Sequence, residues 1–377
     1  MPASVVGAGL LLLQPARRIS PVMKTGMIEQ DFCCCFILKY IERCVHKQAG
    51  TLVFQPFVQY HAGMEDGQTY DLAVAWTWEY DLDFVLLMEE YAKRSGITFL
   101  QIREDHVEET FDALKKGHLQ IRYLLDRASD ESELFQPLAR WVLKRYRSGE
   151  SRAIYPINPL DELQQAADKA TMHLEFLSHG INVPYSIIVS PYDHRREVEL
   201  SLTELAKLGR PFIIKPANTT GGGLGVVMGA ESLKEIIDAR QAHKKDKYLL
   251  QETVYPAMLY GRRAWFRVFY AFGAIIPCWW DDQTHLYTLL NAEQYADNRL
   301  ASLCAITSRI QSICKLDFFS TELVITPNEK IVAVDYVNEM CDMRFQSRHL
   351  DGVPDSLVQA IVRQLFLFVE NTSLQLS

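Results

Sequence analysis

The chain has 377 residues, a length that calls for two or three domains rather than one. It is 48% hydrophobic and 23% charged, which supplies a large core and excludes wholesale disorder. The formal net charge of −8 argues against wrapping nucleic acid, where basic surface supplies most of the affinity, but leaves room for a local basic pocket that takes phosphates.

No apolar run reaches the ~18 residues needed to span a bilayer, so no membrane partner is expected. Residues 5–13 are apolar, but Arg17 and Arg18 follow them, the reverse of a secretory signal. Acidic residues are absent before Glu29, as in a transit peptide. We read residues 1–65 as an irregular N-terminal extension with one helix around 32–46. Of eight cysteines, Cys33, Cys34, Cys35 and Cys44 lie there, while Cys278, Cys304, Cys314 and Cys341 sit in apolar surroundings without CxxC spacing. Reduced, buried thiols in a cytoplasmic protein are the expectation. The ten histidines form no HExxH motif, which argues against zinc.

Regular structure is predicted from Tyr70 onward. Strands are expected at 72–78 (LAVAWTW), 97–102, 121–125 and 153–157, and helices at 81–94, 107–116 and 134–146. Phe84, Leu87, Met88 and Tyr91 share one face of the first helix, and Gly96 ends it. Strands alternating with helices imply parallel βαβ units, an open α/β sheet. Next come one long helix at 161–178, a strand at 183–189, a helix at 202–208 and a strand at 211–215 (PFIIK). A short strand at 226–228, a helix at 232–241 and a strand at 248–251 follow. A hairpin is expected from 264–272 and 274–280, then a helix at 302–315. Strands at 319–325 and 330–334 are joined by Pro327-Asn328-Glu329, and a last helix spans 355–369. The class is α/β, with α+β character in the C-terminal part. The tryptophans Trp76, Trp78, Trp141, Trp279 and Trp280 read as core aromatics.

Two constellations carry chemistry. Asn218-Thr-Thr-Gly-Gly-Gly-Leu-Gly225 lies between two strands, where glycines let backbone N–H groups approach a phosphate, although a flexible hairpin tip would look the same. No Gly-Lys-Ser/Thr follows, so it is not a Walker A loop, and a strand rather than a helix follows, so it is not a Rossmann fingerprint. Lys215 ends the preceding strand and places a cation beside the loop. Far along the chain, Glu322 lies in FFSTELVI, and Asp335 and Asn338 lie in IVAVDYVNEMCDMR. An acid in an apolar strand is costly unless paired or bound to a cation. Two acids and an amide oxygen form the hard-oxygen set that magnesium takes with substrate phosphates, and a neighbouring arginine would satisfy the acids equally.

From about residue 165 to 345 these pieces, in this order, resemble the ATP-grasp superfamily, of the glutathione synthetase and RimK-like kind. They are Asp168-Lys169, INVPYSIIV, PFIIKP, TTGGGLGV, LLQETV, RAWFRVFYAFGAIIP, LDFFSTELVI and the Asp/Asn strand. The resemblance implies a pre-ATP-grasp α/β domain at 66–158 and a two-lobed ATP-grasp domain at 159–377, its small lid lobe at about 183–254 and its large lobe at about 255–377. It implies ATP with Mg2+, or Mn2+ in its place. Lys169 and Lys215 would contact the α- and β-phosphates, with Thr219, Thr220, Gly221, Gly222, Gly223 and Gly225 as the flap over them. Gln251, Glu252 and the backbone through Val254 would read adenine and ribose. Arg267 would face the γ-phosphate, and Glu322, Asp335 and Asn338 would hold the metal.

The pattern departs from the family at four places, one being Cys278–Asp282 (CWWDD), which lacks the arginine some amide ligases carry near there. Glu322 stands where many members have Asp. Asn338 is three residues after Asp335 rather than two, so Glu339 or Asp342 is a competing ligand. CDMR replaces the usual Pro-Gly turn, which makes Arg344 a candidate substrate contact. The implied activity is a carboxylate–amine ligase working through an acyl phosphate on a small-molecule or peptide substrate, and a homodimer is compatible with it. A kinase of the same fold would need a cationic acceptor site, for which Arg195, Arg196, Arg262, Arg263, Arg344 and Arg348 are available. A non-catalytic nucleotide-binding protein would be expected to lose Glu322 and Asp335.

Overall fold

The computed structural model describes residues 67–218 and 223–373. The helix expected around 32–46, the cysteines Cys33, Cys34, Cys35 and Cys44, and the flap residues Thr219, Thr220, Gly221 and Gly222 lie outside the described residues.

The first sheet holds β1 (Gln68–Trp76), β2 (Phe99–Ile102), β3 (Leu119–Arg127) and β4 (Tyr155–Ile157) in the order β2-β1-β3-β4, all parallel. Helices α1 (Leu82–Ser95), α2 (Val107–Lys116) and α3 (Gln136–Ser148) make the crossovers. The near-continuous apolar run of β1 fits a strand covered on both faces. Leu72, Val74 and Trp76 pack with α1, and Ala73 and Ala75 pack on the opposite side with Leu114 and Val142. Gly96 closes α1 at φ 71, its N–H donating to Ala92 O.

The long helix expected at 161–178 is two, α4 (Leu160–Ala167) and α5 (Lys169–Ser178). Asp168 breaks it: its backbone is extended, and its carboxylate accepts from the Ala170 and Thr171 N–H groups at 2.9 and 3.3 Å. A capping aspartate competes with helix continuation, and periodicity alone does not register that.

The second sheet contains β5 (Ser186–Val189), β6 (Phe212–Pro216), β7 (Val227–Ala230) and β8 (Tyr248–Glu252) in the antiparallel order β5-β8-β6-β7. Helices α6 (Leu202–Leu208) and α7 (Leu233–Arg240) cover it, each opened by a capping box, Ser201 with Glu204 and Ser232 with Glu235. After the two-residue strands β9 (Met258–Leu259) and β10 (Arg262–Arg263) come β11 (Trp265–Ala271), β12 (Ala274–Trp280) and β13 (Tyr287–Leu289). Short α8 (Ala292–Tyr295), α9 (Asn298–Cys314), β14 (Phe318–Ile325) and β15 (Ile331–Asn338) follow. They build an antiparallel sheet in the order β13-β12-β11-β14-β15. β9, β10, β13 and α8 were not predicted, because two to four residues are too short to show a period.

On this third sheet Phe266, Val268, Leu323 and Val337 share a core with Phe176 of α5 and Leu303 and Ile310 of α9. Phe269, Ala271 and Ile276 join another core with the first sheet and with the last helix, α10 (Asp355–Ser373). Asn158 fixes the joint between the sheets: its Oδ1 accepts from the Asp317 and Phe318 N–H groups at 2.9 and 3.0 Å, and its Nδ2 donates to Phe318 O at 2.6 Å. Nearby, Tyr155 donates to the Asp317 carboxylate at 3.0 Å. A buried Arg127–Asp81 pair at 2.7 Å also reaches across, Arg127 donating to Cys341 O at 3.0 Å.

Candidate active site

Strand register sets the first half of the site. Cys278, Arg267, Glu322 and Asp335 stand side by side on β12, β11, β14 and β15. Arg267 is ion-paired with Glu322, whose other oxygen accepts from Trp265 Nε1 at 3.1 Å. The guanidinium lies 4.9 Å from the Trp280 ring centre, and its Nε is buried without a hydrogen-bond partner.

The three-residue spacing of Asp335 and Asn338 has a structural answer. Leu323 pairs with Ala333, Glu322 with Asp335, and Ser320 with Asn338. One extra residue therefore enters β15 between Ala333 and Asp335, and another between Asp335 and Asn338. In a regular strand, positions three apart point to opposite faces. The second bulge returns Asn338 to the face of Asp335. With its amide turned to satisfy both neighbours, Asn338 accepts from Arg267 Nη1 at 2.8 Å and donates to Met340 O at 3.3 Å.

The second half comes from the second sheet and α5. Lys215, on β6, donates from Nζ to Val334 O at 3.0 Å. Lys169, the first residue of α5, has its Nζ 3.5 Å from the Asp335 carboxylate. Its backbone N–H donates to Ala217 O at 3.0 Å, tying the helix start to the end of β6. Burial pulls the Lys215 pKa down, opposed by Asp335 and reinforced by the neighbouring Lys169 charge. Burial pushes Asp335 up, but Lys169, Lys215 and Arg267 outweigh it and hold the carboxyl below its ordinary value. Arg267 loses solvation, yet Tyr287, Glu322 and Asp335 keep it firmly protonated. Three cations thus face two carboxylates, a surplus suited to an anion.

Six of the sequence-predicted residues therefore converge: Lys169, Lys215, Arg267, Glu322, Asp335 and Asn338. Gly223 and Gly225 have φ of 79° and 76°, in the region that favours glycine. A Cβ on Gly225 would meet Pro216 Cγ at 3.1 Å and His243 Nε2 at 3.2 Å, so the chain passes close by the end of β6. Asn218 is anchored by Asp246 through bonds of 2.8 and 2.9 Å.

In the segment expected to form the adenine-reading hinge, residues 251–254, Gln251 is buried and donates to Tyr336 OH at 3.2 Å. Glu252 accepts from the Tyr185 N–H at 2.7 Å, and Val254 packs on Val324, Val332 and Val334. These side chains are spent internally, and the Glu252 N–H is spent as well, on Tyr185 O at 2.9 Å.

Of the competing metal ligands, Asp342 is held by Arg344 at 2.7 Å, and burial raises the pKa of Glu339. Among the described residues no three His, Cys, Asp or Glu side chains cluster as a metal site. The set of Glu322, Asp335 and Asn338 still fits magnesium, because it offers hard oxygens from one face of neighbouring strands. The arginines considered for a kinase are largely paired: Arg195 with Glu199, Arg263 with Asp282, Arg344 with Asp342 and Asp351, and Arg348 with Asp83.

Trp280 packs against the core as expected and also reaches the site. It is only partly buried and lies under Arg267, with His285 stacked at 5.4 Å and Tyr287 at 4.5 Å. Sequence reasoning also passed over Tyr336 and His173, joined at 2.7 Å between Tyr336 OH and His173 Nδ1. An aromatic in an apolar strand gives no polar signal, although its position beside Asp335 was visible.

This architecture is the ATP-grasp fold, and the chain is similar in structure to several proteins that have it. The D-alanine–D-alanine ligase from Bacillus anthracis, complexed with ATP, matches with a TM-score of 0.55 at 11% identity, over 80% of this chain and 97% of that one. A RimK domain ATP-grasp protein from Sphaerobacter thermophilus matches with a TM-score of 0.51 at 17% identity, over 78% and 98%. The ATP-grasp ligase PsnB, complexed with minimal precursor, Mg and ADP, matches with a TM-score of 0.51 at 15% identity, over 78% and 98%. No family model and no curated protein matches the sequence.

Proposed function

We propose that the protein is an ATP- and magnesium-dependent ligase that activates a substrate carboxylate as an acyl phosphate for attack by an amine. One observation carries this reading. Lys169 and Lys215, from α5 and the second sheet, meet Arg267, Glu322, Asp335 and Asn338 of the third sheet around one patch of β15.

Residues 66–158 then form the pre-ATP-grasp domain, about 183–254 the lid lobe and about 255–377 the large lobe. Lys169 and Lys215 hold the α- and β-phosphates. Arg267 exchanges Glu322 for the γ-phosphate, and Glu322, Asp335 and Asn338 are the residues that would hold magnesium. Bound magnesium would neutralise charge on the phosphates. The substrate carboxylate attacks the γ-phosphorus, the bond to the β–γ bridging oxygen breaks, and ADP leaves. The amine nitrogen then attacks the acyl carbon, expels phosphate and loses its proton. The protein's part is positioning and charge neutralisation.

ADP release screened against carboxylic acids, peptides, amines, sugars and inositol phosphates tests the reading, with hydroxylamine as trap. ADP should form only when an acid and an amine are both present, and hydroxylamine should yield a hydroxamate. Phosphate found on a stable hydroxyl would establish the kinase instead.

A further inference from the structure

We infer that Tyr336 is a positioning residue that holds Asp335 and Asn338 in their shared orientation by pinning the bulge between them to α5 and β8. The inference rests on the ATP-and-magnesium reading above. A bulge leaves its extra residue without a ladder partner, so something outside the ladder must fix its conformation. Tyr336 lies inside the bulge and is 1% exposed. Its hydroxyl accepts from Gln251 Nε2 at 3.2 Å and bonds His173 Nδ1 at 2.7 Å. Both partners are as deeply buried, Gln251 at 2% and His173 at 4% exposure.

Packing alone does not call for this hydroxyl. The ring already meets Phe176 edge-on at 5.4 Å, and a phenylalanine would fill the same space. A buried hydroxyl is costly unless bonded, so what it adds is connection. The three elements it joins each carry site residues. α5 begins with Lys169, one turn before His173. β8 runs into the hinge at Glu252, and β15 carries Asp335 and Asn338. Groups behind a metal ligand set its aim, and their loss typically weakens metal affinity about 10–100-fold.

The test is Tyr336→Phe in the full chain, titrated calorimetrically with Mg2+ at saturating ADP and with ADP at fixed Mg2+, alongside turnover. The Mg2+ half-saturation should rise about tenfold, while kcat at saturating Mg2+ changes by less than about threefold. Phe176→Leu, which disturbs the same core without touching the hydroxyl, should lower the melting temperature and leave the Mg2+ half-saturation unchanged. An unaltered Mg2+ half-saturation in Tyr336→Phe, or an equal shift in Phe176→Leu, overturns the inference. A wild-type chain that binds no ADP refutes the underlying reading as well, and the wild-type titration alone reveals it.

Discussion

Lys215 is a partly buried ammonium beside the Lys169 charge, and that arrangement separates function from stability. Lys215→Ala should abolish turnover while the melting temperature holds or rises slightly, because the substitution relieves desolvation and repulsion from Lys169. Asp335→Asn should also abolish turnover but should lower the melting temperature, since it leaves Lys169, Lys215 and Arg267 facing one another with less counter-charge. Comparing turnover and thermal melts of the two variants checks this. Equal melting shifts of the same sign would contradict the charge balance described. At this scale the sequence was informative where a charged residue sits in an apolar strand, as at Lys215, Glu322 and Asp335. It was silent on Trp280 and Tyr336, whose roles depend on what lies across the strand or beneath it.

At the scale of elements, the parallel first sheet and the 264–280 hairpin were legible from alternation and from Gly273, and the helix break at Asp168 was not. The bulges of β15 were the least legible feature. A period-two reading places Asn338 on the wrong face, and only the pairing Ser320–Asn338 shows why it is on the right one. Deleting Val337 should remove the extra residue and restore the commoner two-residue spacing. Deletion should not restore the site, because Tyr336, fixed by His173 and Gln251, holds its place. Asn338 or Asp335 must turn away, and ADP–Mg2+ affinity should fall by at least about tenfold in calorimetry. Retained affinity would show that the ladder can re-register freely around that anchor.

The whole molecule is joined at Asp317, where the first and third sheets meet. Burial raises the Asp317 pKa to about 6, against about 4 for an unfolded aspartate. Between those values the folded state binds more protons than the unfolded one. This group's contribution to stability is therefore full below about pH 4 and lost as pH rises through about 6. Asp317→Asn removes that dependence. The melting-temperature difference between variant and wild type should grow in the variant's favour from pH 4.5 to pH 7. A difference independent of pH would show that Asp317 titrates normally.

The last helix has a consequence for synthesis. Leu357, Ile361, Leu365 and Val369 of α10 share a core with Leu72, Val74, Phe84 and Met88, more than two hundred positions earlier. Until α10 has been synthesised and has docked, that apolar side of β1 and α1 lacks part of its cover. A nascent polypeptide that already carries every residue of the proposed site is therefore still an unfinished globule, and a stop codon before Asp355 should yield sticky, chaperone-bound product.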